Sequence, residues 1–239
     1  MIRLFAALLV LFIPRVAIAG ELTLAVASNF LTTAEELVSR FEASTGHKVT
    51  LTHGATGQLY AQIEAGAPFD VFLAADAHRP DLLRQAGLTR RVGTYALGRL
   101  VLVSTAEVTR KSAPEVMSGS TVALADPTVA PYGLASTAAM ERLKLDTATF
   151  RPVLVANVGQ VATIFATGNA EFAFVAASQL PLLSSPFVLD LKGLHKPLVH
   201  DAALLVQAED NDAALAFWDW LFTDESRTVI ELSGYDLVE

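Results

Sequence analysis

The sequence predicts an α/β protein with two lobes, each built on a mixed, mostly parallel sheet. Short apolar runs alternate with amphipathic stretches of helical period along the 239 residues, and this alternation is typical of strands joined by crossover helices. Hydrophobic residues make up 52% of the chain, so there is ample apolar surface for a core. The length fits two lobes of about 100 residues each, within the usual range of domain size.

The first lobe is expected to begin with three strands that alternate with three helices. The strands are predicted at residues 22–27, 48–53 and 70–75, and the helices at 33–44, 58–64 and 81–85. Leu37 and Phe41 lie one turn apart on the first helix, and Gly46 is placed to end it. The third strand is apolar throughout, which indicates burial on both faces.

The second half of the chain alternates in the same way. Residues 97–104 are interpreted as one strand that crosses into the second lobe. That lobe is expected to contain strands at 121–125, 153–155 and 171–175, helices at 134–143 and 160–167, and a loop at 181–186. A return strand at 196–206 and helices at 211–222 and 226–232 are predicted to follow. Trp218 and Trp220 face opposite sides of their helix, so one is expected in the core and the other partly exposed.

The N-terminal residues are typical of a secretory signal peptide. Arg3 precedes an unbroken apolar run at 4–13, and Ala17-Ile18-Ala19 has the small-x-small pattern of a cleavage site. The apolar run is too short to span a bilayer. The expected organisation is a signal peptide at 1–19, the first part of lobe 1 at 20–97, lobe 2 at 98–196, and a return to lobe 1 with the C-terminal helices at 197–239.

Charge and cysteine content exclude several classes of function. The chain has no cysteine, so it has no disulfide, thiolate metal site, cysteine nucleophile or lipid-acceptor cysteine. Cleavage after Ala19 removes Arg3 and Arg15 and no acidic residue, so the formal net charge changes from −8 to −10. Such an acidic chain is a poor candidate for binding nucleic acid. The same negative charge repels anions, so an anion site in this chain has to depend on donor groups close to the ion.

Four predicted strands end in short polar or glycine-containing turns that lead into helices. These turns contain Ser28 and Asn29, residues 54–57, residues 126–133 and residues 156–159. Ligands of open α/β sheets bind beyond the carboxyl ends of the strands, and helix N-termini there offer unpaired N–H groups. Four such termini around one cleft would suit a dianion. Each turn by itself is also an ordinary helix cap, so the spacing alone predicts an α/β protein with a candidate anion cleft.

Other chemistry-bearing residues give weaker signals. Asp76 and His78 have a spacing that metal ligands use, but no third ligand lies nearby in the sequence, and a cap and a surface histidine are the simpler interpretation. His53 follows the second strand and either contacts the cleft or packs at the strand end. Ser28 lacks the glycine-flanked turn of a hydrolase nucleophile. No nucleophile and base pair is found, so the chain is not expected to be an enzyme.

The order of the segments resembles the periplasmic molybdate-binding proteins of the ModA type, which are type II periplasmic solute-binding proteins of ABC transporters. The similarity runs over the predicted mature chain and is carried by residues 25–29, 41–49, 54–57, 62–76, 126–127, 131–133 and 157–158. The stretch QIEAGAPFDVFLAAD at 62–76 is the most specific of these. The resemblance implies two Rossmann-like lobes, joined by a hinge, that close on a bound ion.

The resemblance also implies the site residues. Ser28 matches a hydroxyl-bearing ligand, Asn29 is its neighbour, and Thr56 matches a serine or threonine of the second turn. Tyr132 and Val158 match positions that donate a backbone N–H. Many family members have a tyrosine ligand where this chain has Ala176, so Asn29 and Tyr132 are expected to contribute instead.

The implied function is capture of molybdate or tungstate for the membrane permease of an ABC importer. The expected form is a periplasmic monomer that binds the oxyanion directly, with no cofactor, no cation ligands and no nucleic acid. A receptor for another small anion such as sulfate is the alternative. An enzyme or an effector-sensing regulator on the same fold is a third possibility, but a regulator needs a DNA-binding helix pair where this chain has a predicted signal peptide.

Overall fold

The computed structural model of the chain describes residues 19–184 and 187–238. The predicted signal peptide lies outside these residues, apart from Ala19. None of the helices in the described part has the length and apolarity needed to cross a membrane.

The described residues form two five-stranded sheets. The strands, in chain order, are β1 (Glu21–Ala27), β2 (Lys48–Gly54), β3 (Val71–Leu73), β4 (Thr89–Gly98), β5 (Leu100–Ser104), β6 (Thr121–Ala125), β7 (Arg151–Val155), β8 (Phe172–Ala176), β9 (Phe187–Asp190) and β10 (Leu198–Leu205). The α-helices are α1 (Leu31–Thr45), α2 (Thr56–Glu64), α3 (His78–Gln85), α4 (Ala113–Val116), α5 (Pro131–Arg142), α6 (Val158–Ala166), α7 (Asp212–Leu221) and α8 (Asp224–Leu232). Short 3₁₀ segments lie at Ser28–Phe30, Thr147–Thr149, Ala177–Leu182 and Val206–Ala208.

The two sheets have equivalent topologies. The strand order is β2-β1-β3-β10-β4 in the first sheet and β7-β6-β8-β5-β9 in the second. β10 pairs antiparallel with both neighbours, and so does β5, whereas the other pairings are parallel. One strand in each sheet therefore runs against the other four, and it is the strand that the chain enters after crossing from the other lobe. The predicted α/β fold with two mixed, mostly parallel sheets is confirmed.

Lobe 1 carries helices on both faces of its sheet. Side chains of β1 alternate between the two faces: Leu24 and Val26 pack with α1, α7 and α8, whereas Ala25 packs with α2 and α3. Lobe 2 has one continuous apolar core around β5, β6 and β8. Trp218 is buried in the core of lobe 1, and Trp220 is partly exposed against Phe41, as predicted.

The chain passes between the sheets at two places. The first lies at Arg99, between the end of β4 and the start of β5, and the second lies between Asp190, the last residue of β9, and Leu198, the first of β10. We call the first sheet with α1–α3, α7 and α8 lobe 1, and the second sheet with α4–α6 lobe 2. The domain limits at 97/98 and 196/197 stay predictions.

The prediction of one strand at residues 97–104 is wrong. The chain forms β4 and β5 there, because β4 hydrogen-bonds to β10 in lobe 1 and β5 to β8 in lobe 2. β4 contains Arg90 and Arg91, whose charges weaken the apolar pattern by which a strand is recognised. β9 was not predicted either, since it is a four-residue edge strand in which partly buried and exposed residues alternate.

Six helices begin two or three residues earlier than predicted: α1, α2, α3, α5, α6 and α8. α2 starts at Thr56, α5 at Pro131 and α6 at Val158. Pro131 takes the first helical position, where the missing N–H has no intrahelical partner to lose, and Asn157 caps α6 through its side-chain oxygen. Thr56, Tyr132 and Val158 therefore lie in first helical turns and not in the preceding loops.

Candidate functional site

The five residues predicted to bind an oxyanion all line one small cavity between the lobes. Ser28 and Asn29 follow β1, and Thr56 opens α2, so these three belong to lobe 1. Tyr132 and Val158 come from the starts of α5 and α6 in lobe 2. The cavity thus lies where the carboxyl ends of parallel strands from both lobes meet, as expected for α/β sheets.

Backbone N–H groups at these positions are free to donate. Four of them have no hydrogen-bond acceptor among residues 19–184 and 187–238: Asn29, Thr56, Tyr132 and Val158. The first N–H groups of a helix lack an intrahelical acceptor and carry the positive end of the helix dipole. The cavity wall is therefore electropositive without containing a charged group.

Two hydroxyl groups add to these donors. The Ser28 hydroxyl accepts the Gly159 N–H at 3.3 Å, and the Thr56 hydroxyl accepts the Ala75 N–H at 3.3 Å. A hydroxyl has two acceptor lone pairs and one hydrogen, so each of these groups keeps its hydrogen for another partner. Neither hydroxyl donates to an acceptor within the described part of the chain.

The cavity is small and its lining is uncharged. The lining is made up of Ser28, Asn29, Gly54, Ala55, Thr56, Ala75, Ala130, Pro131, Tyr132, Asn157 and Val158. Its volume is about 10 Å³, close to one water-sized sphere, whereas pockets for drug-sized ligands measure about 300–1,000 Å³. The cavity is therefore far smaller than a pocket for a drug-sized ligand.

The lobes are closed around this cavity. Hydrogen bonds cross from one lobe to the other on several sides: Gly159 N–H to Ser28, Gly57 N–H to the Val129 carbonyl at 2.9 Å, and the Ser178 hydroxyl to the Asn29 carbonyl at 3.0 Å. A larger cleft of about 550 Å³ adjoins the cavity and shares four of its lining residues: Ser28, Asn29, Gly54 and Asn157.

The side chains of Asn29 and Tyr132 are engaged away from the cavity. The Asn29 amide nitrogen donates to the Tyr235 hydroxyl at 3.0 Å. The Tyr132 hydroxyl is buried beside the Nε2 atom of His200, near Gly98 at the crossing between the lobes. Ala176 ends β8 and is not among the lining residues. Asn29 and Tyr132 therefore face the cavity with backbone N–H groups.

Tyr132 and His200 form a contact between the lobes at the hinge. Their ring centroids are 6.0 Å apart, and the rings of Tyr95 and Tyr235 flank His200. Among the described residues, neither ring nitrogen of His200 nor the Tyr132 hydroxyl has a hydrogen-bond partner. Burial lowers the pKa of His200 to about 3 and raises the pKa of Tyr132 well above its ordinary value. His200 is therefore neutral at pH 7.

The remaining candidates of the sequence lie elsewhere. His53 is exposed and lines the larger cleft, not the cavity. The Asp76 carboxylate binds the Arg79 guanidinium and accepts the Arg79 N–H at 2.9 Å. His78 is exposed on another groove, of about 680 Å³, which shares Ala75 and Pro131 with the cavity. Within residues 19–184 and 187–238, no group of three or more histidines or acidic residues could hold a metal ion.

Residues 22–236 match the bacterial extracellular solute-binding protein family. The molybdate-binding protein ModA of Azotobacter vinelandii is 38% identical over 92% of this chain and 91% of its own length. The ModA protein of Rhodobacter capsulatus is 41% identical over 92% of this chain and 89% of its own length. This chain belongs to the ModA family of solute-binding proteins.

The fold agrees with a solved structure of that family. The periplasmic molybdate-binding protein of Azotobacter vinelandii superposes with a TM-score of 0.82 at 32% identity, covering 91% of this chain and all of that one. This ModA-type chain therefore has the two-lobed architecture of that structure.

Three groups around the site were missed in the sequence. Ala75 and Gly159 position the two hydroxyls through their N–H groups, and Arg79 contacts lobe 2 at the edge of the cavity. A backbone N–H group is present in every residue except proline, so no sequence signal marked Ala75 and Gly159 as donors. Arg79 could have been suspected, since it follows Asp76 by three residues at the start of a helix.

Proposed function

We propose that this chain is the periplasmic substrate-binding component of an ABC importer for molybdate or tungstate. The tetrahedral dianion is held between the lobes by neutral donors: the hydroxyls of Ser28 and Thr56 and the N–H groups of Asn29, Thr56, Tyr132 and Val158. The observation that carries the proposal is that these unpaired donors converge on one uncharged cavity. The names of its relatives supply the ligand class.

The donor set is strong enough to hold a dianion without a cation. A hydrogen bond to a charged group contributes about 1.5–3 kcal/mol, so six donors contribute roughly 10 kcal/mol or more before the costs of ordering and desolvation. Closing the lobes removes water and lowers the local dielectric constant, which strengthens each bond. The ligand favours the closed state because donors from both lobes reach it only there.

Selection among tetrahedral oxyanions follows from size. A sulfate ion is smaller than molybdate, so it cannot reach donors on both walls at once and leaves buried N–H groups unpaired. Each unpaired buried donor costs about 1–3 kcal/mol. Molybdate and tungstate have nearly the same size and charge, and the donor set does not separate them.

The cellular role follows from the same proposal. The signal peptide at residues 1–19 directs the chain to the periplasm, where it acts as a soluble monomer and delivers its ion to a membrane permease. Its role is binding and not catalysis, and the oxyanion is cargo, so no cofactor is required.

Calorimetric titration of the mature chain, residues 20–239, tests this function. Molybdate and tungstate are expected to bind at least about 100-fold more tightly than sulfate, which corresponds to two donors left unpaired. A competition experiment with several oxyanions, read by native mass spectrometry, should give the same order. Equal affinities for sulfate and molybdate would remove the size argument and favour the sulfate receptor. Preferential binding of a cation or a sugar would contradict the proposal entirely.

A further inference from the structure

Two consecutive carbonyl groups of lobe 2 receive hydrogen bonds from lobe 1 at the edge of the cavity. The Arg79 Nη2 atom donates to the Thr128 carbonyl at 3.3 Å, and the Gly57 N–H donates to the Val129 carbonyl at 2.9 Å. Gly57 directly follows Thr56, and Val129 lies two residues before Pro131, the start of α5. The contact therefore joins the segments that carry site donors from the two lobes.

The Arg79 side chain is fixed before it reaches lobe 2. Its Nη1 atom binds the Asp76 carboxylate, and both side chains are only 17% exposed. On the same helix, Arg84 forms the corresponding i,i+3 pair with Asp81, but these side chains are 59% and 45% exposed. Arginine's planar fork can bind a carboxylate and a carbonyl at once. Burial and the second acceptor distinguish the Arg79 pair from an ordinary surface ion pair.

The acceptor loop is held as well. The Asp126 carboxylate accepts the Thr128 N–H at 2.8 Å and the Thr128 hydroxyl at 2.7 Å. These bonds fix the loop so that the Thr128 carbonyl faces Arg79, and the donor and the acceptor are both positioned for the closed state.

The two lobes approach each other closely at this point. A Cβ atom added to Gly57 would lie 2.9 Å from Arg79 Nη2 and 3.0 Å from the Val129 carbonyl oxygen. Such distances force a shift, because the Val129 atom belongs to the backbone. Glycine at this position therefore permits the closed arrangement.

We propose that Arg79, held by Asp76, is a positioning residue that latches the two lobes shut by donating to the Thr128 carbonyl. This inference rests on the proposed function, since it assigns Arg79 a role in retaining the same ion. The guanidinium does not line the cavity, so it acts on the closed state and not as a ligand. Its loss speeds the release of the ion and leaves capture unchanged, because release requires the closed lobes to separate.

The experiment compares Arg79→Gln with Arg84→Gln, which removes the equivalent ion pair on the same helix. Binding of molybdate is measured by calorimetry, and its release by stopped-flow displacement. Arg79→Gln is expected to raise the Kd and the dissociation rate about 5- to 10-fold, because the variant loses one partly exposed charge-assisted hydrogen bond between the lobes. Arg84→Gln should match the wild-type chain. Equal dissociation rates in the two variants would overturn the latch.

A second pair of variants separates the latch from simple attraction of an anion by a positive charge. Arg79→Lys keeps the charge but lacks the planar fork. The latch therefore predicts that Arg79→Lys releases the ion as fast as Arg79→Gln does. The latch is contradicted if Arg79→Lys releases the ion as slowly as the wild-type chain. It is also contradicted if Arg79→Gln lowers only the association rate, in a salt-dependent way, and leaves the dissociation rate unchanged. Gly57→Ala keeps the arginine, but the added Cβ collides with the Arg79 Nη2 atom and the Val129 carbonyl oxygen, so it should speed release as well.

The separation of the lobes gives a readout that does not depend on the ligand. The chain has no cysteine, so Ala43→Cys on α1 and Glu141→Cys on α5, both exposed, can carry a pair of fluorescent labels. Arg79→Gln and Gly57→Ala are expected to lengthen the distance between the labels relative to Arg84→Gln, without ligand or at saturating molybdate. Equal distances in every condition overturn the latch. If the wild-type chain fails to bind molybdate, the proposed function fails while this comparison still decides the latch.

Discussion

The two lobes offer the cavity different kinds of donor. Lobe 1 provides two hydroxyl groups, from Ser28 and Thr56, together with the backbone N–H groups beside them. Among the residues predicted to bind the ion, those of lobe 2 provide backbone N–H groups, from Tyr132 and Val158 at the starts of α5 and α6. A side-chain donor can be removed by one substitution, whereas a backbone donor can only be displaced. The two halves of the site should therefore respond to mutation in different ways.

Packing decides where the lobe 2 donors lie. Gly133 follows Tyr132 in the first turn of α5, and a Cβ atom added to it would overlap the Ala125 carbonyl oxygen and lie 2.8 Å from the Asp126 carbonyl carbon. The start of α5 thus rests directly on the end of β6. In lobe 1, a Cβ atom added to Gly54 would meet only Leu59 and Gln58 side-chain atoms at 3.7 Å or more. The same substitution at the two glycines therefore tests the comparison.

Gly133→Ala is expected to have the largest effect. The added methyl group pushes α5 away from β6 and moves the Tyr132 N–H out of line with the ion, at a cost of about 1–3 kcal/mol in packing. Loss of this donor and disturbance of its neighbours should weaken molybdate binding by about 100-fold. Calorimetry measures the affinity, and thermal unfolding of the ligand-free chain shows that the variant is folded.

Gly54→Ala is the matched control for this substitution. It lines the same cavity but has room for a methyl group, so its affinity should stay within about threefold of the wild-type value. If both variants bind molybdate equally, helix position in lobe 2 does not control the site.

Thr56→Val is expected to have the next largest effect, because it removes a side-chain donor from lobe 1 without changing the size of the residue. The loss of one charge-assisted hydrogen bond should weaken binding by about 30-fold. The Ala75 N–H also loses its acceptor, so the ligand-free chain should be destabilised by about 1–3 kcal/mol. Calorimetry and denaturant unfolding measure the two effects separately.

Thr56→Ser keeps the hydroxyl and should restore most of the affinity. An affinity as low as that of the valine variant would show that the methyl group of Thr56, and not its hydroxyl, matters to the site. His78→Ala, on the exposed groove, should bind molybdate like the wild-type chain.

Much of the fold could be predicted from the sequence, because alternating apolar runs and helical periods are local signals. All five predicted site residues line one cavity, and their roles in binding stay predictions. That grouping came from a resemblance and from the rule that strand ends share an edge. Element limits were less accurate: α5 begins at Pro131, three residues before the prediction, because the proline signal was interpreted as part of a turn.

What could not be predicted depends on contacts between residues far apart in sequence. The Ser28 hydroxyl is oriented by Gly159, 131 residues away, and the Arg79 guanidinium reaches Thr128, 49 residues away. The division of 97–104 into two strands was also missed, since β4 is defined by pairing with β10 and not by its own composition. No local pattern reports such partners.

The hinge contact of His200 with Tyr132 predicts a smaller effect, on stability and not on affinity. Burial holds the pKa of His200 at about 3 in the folded chain, below the ordinary value of 6.5. Between these values the unfolded chain binds a proton that the folded chain does not, so stability falls as the pH decreases through this window and is fully present above it. From pH 7 to 5.5 the contribution of His200 to the free energy of unfolding should drop by about 1 kcal/mol.

Denaturant unfolding at both pH values tests this, with His200→Leu compared with the wild-type chain. The leucine variant has no buried histidine to protonate. Between pH 7 and 5.5 its free energy of unfolding should therefore drop by about 1 kcal/mol less than that of the wild-type chain, whatever its value at pH 7. An unchanged slope in His200→Leu would mean that His200 accepts a proton in the folded chain. The hinge between the lobes would then admit water, and the two lobes would be less firmly joined there than at the cavity.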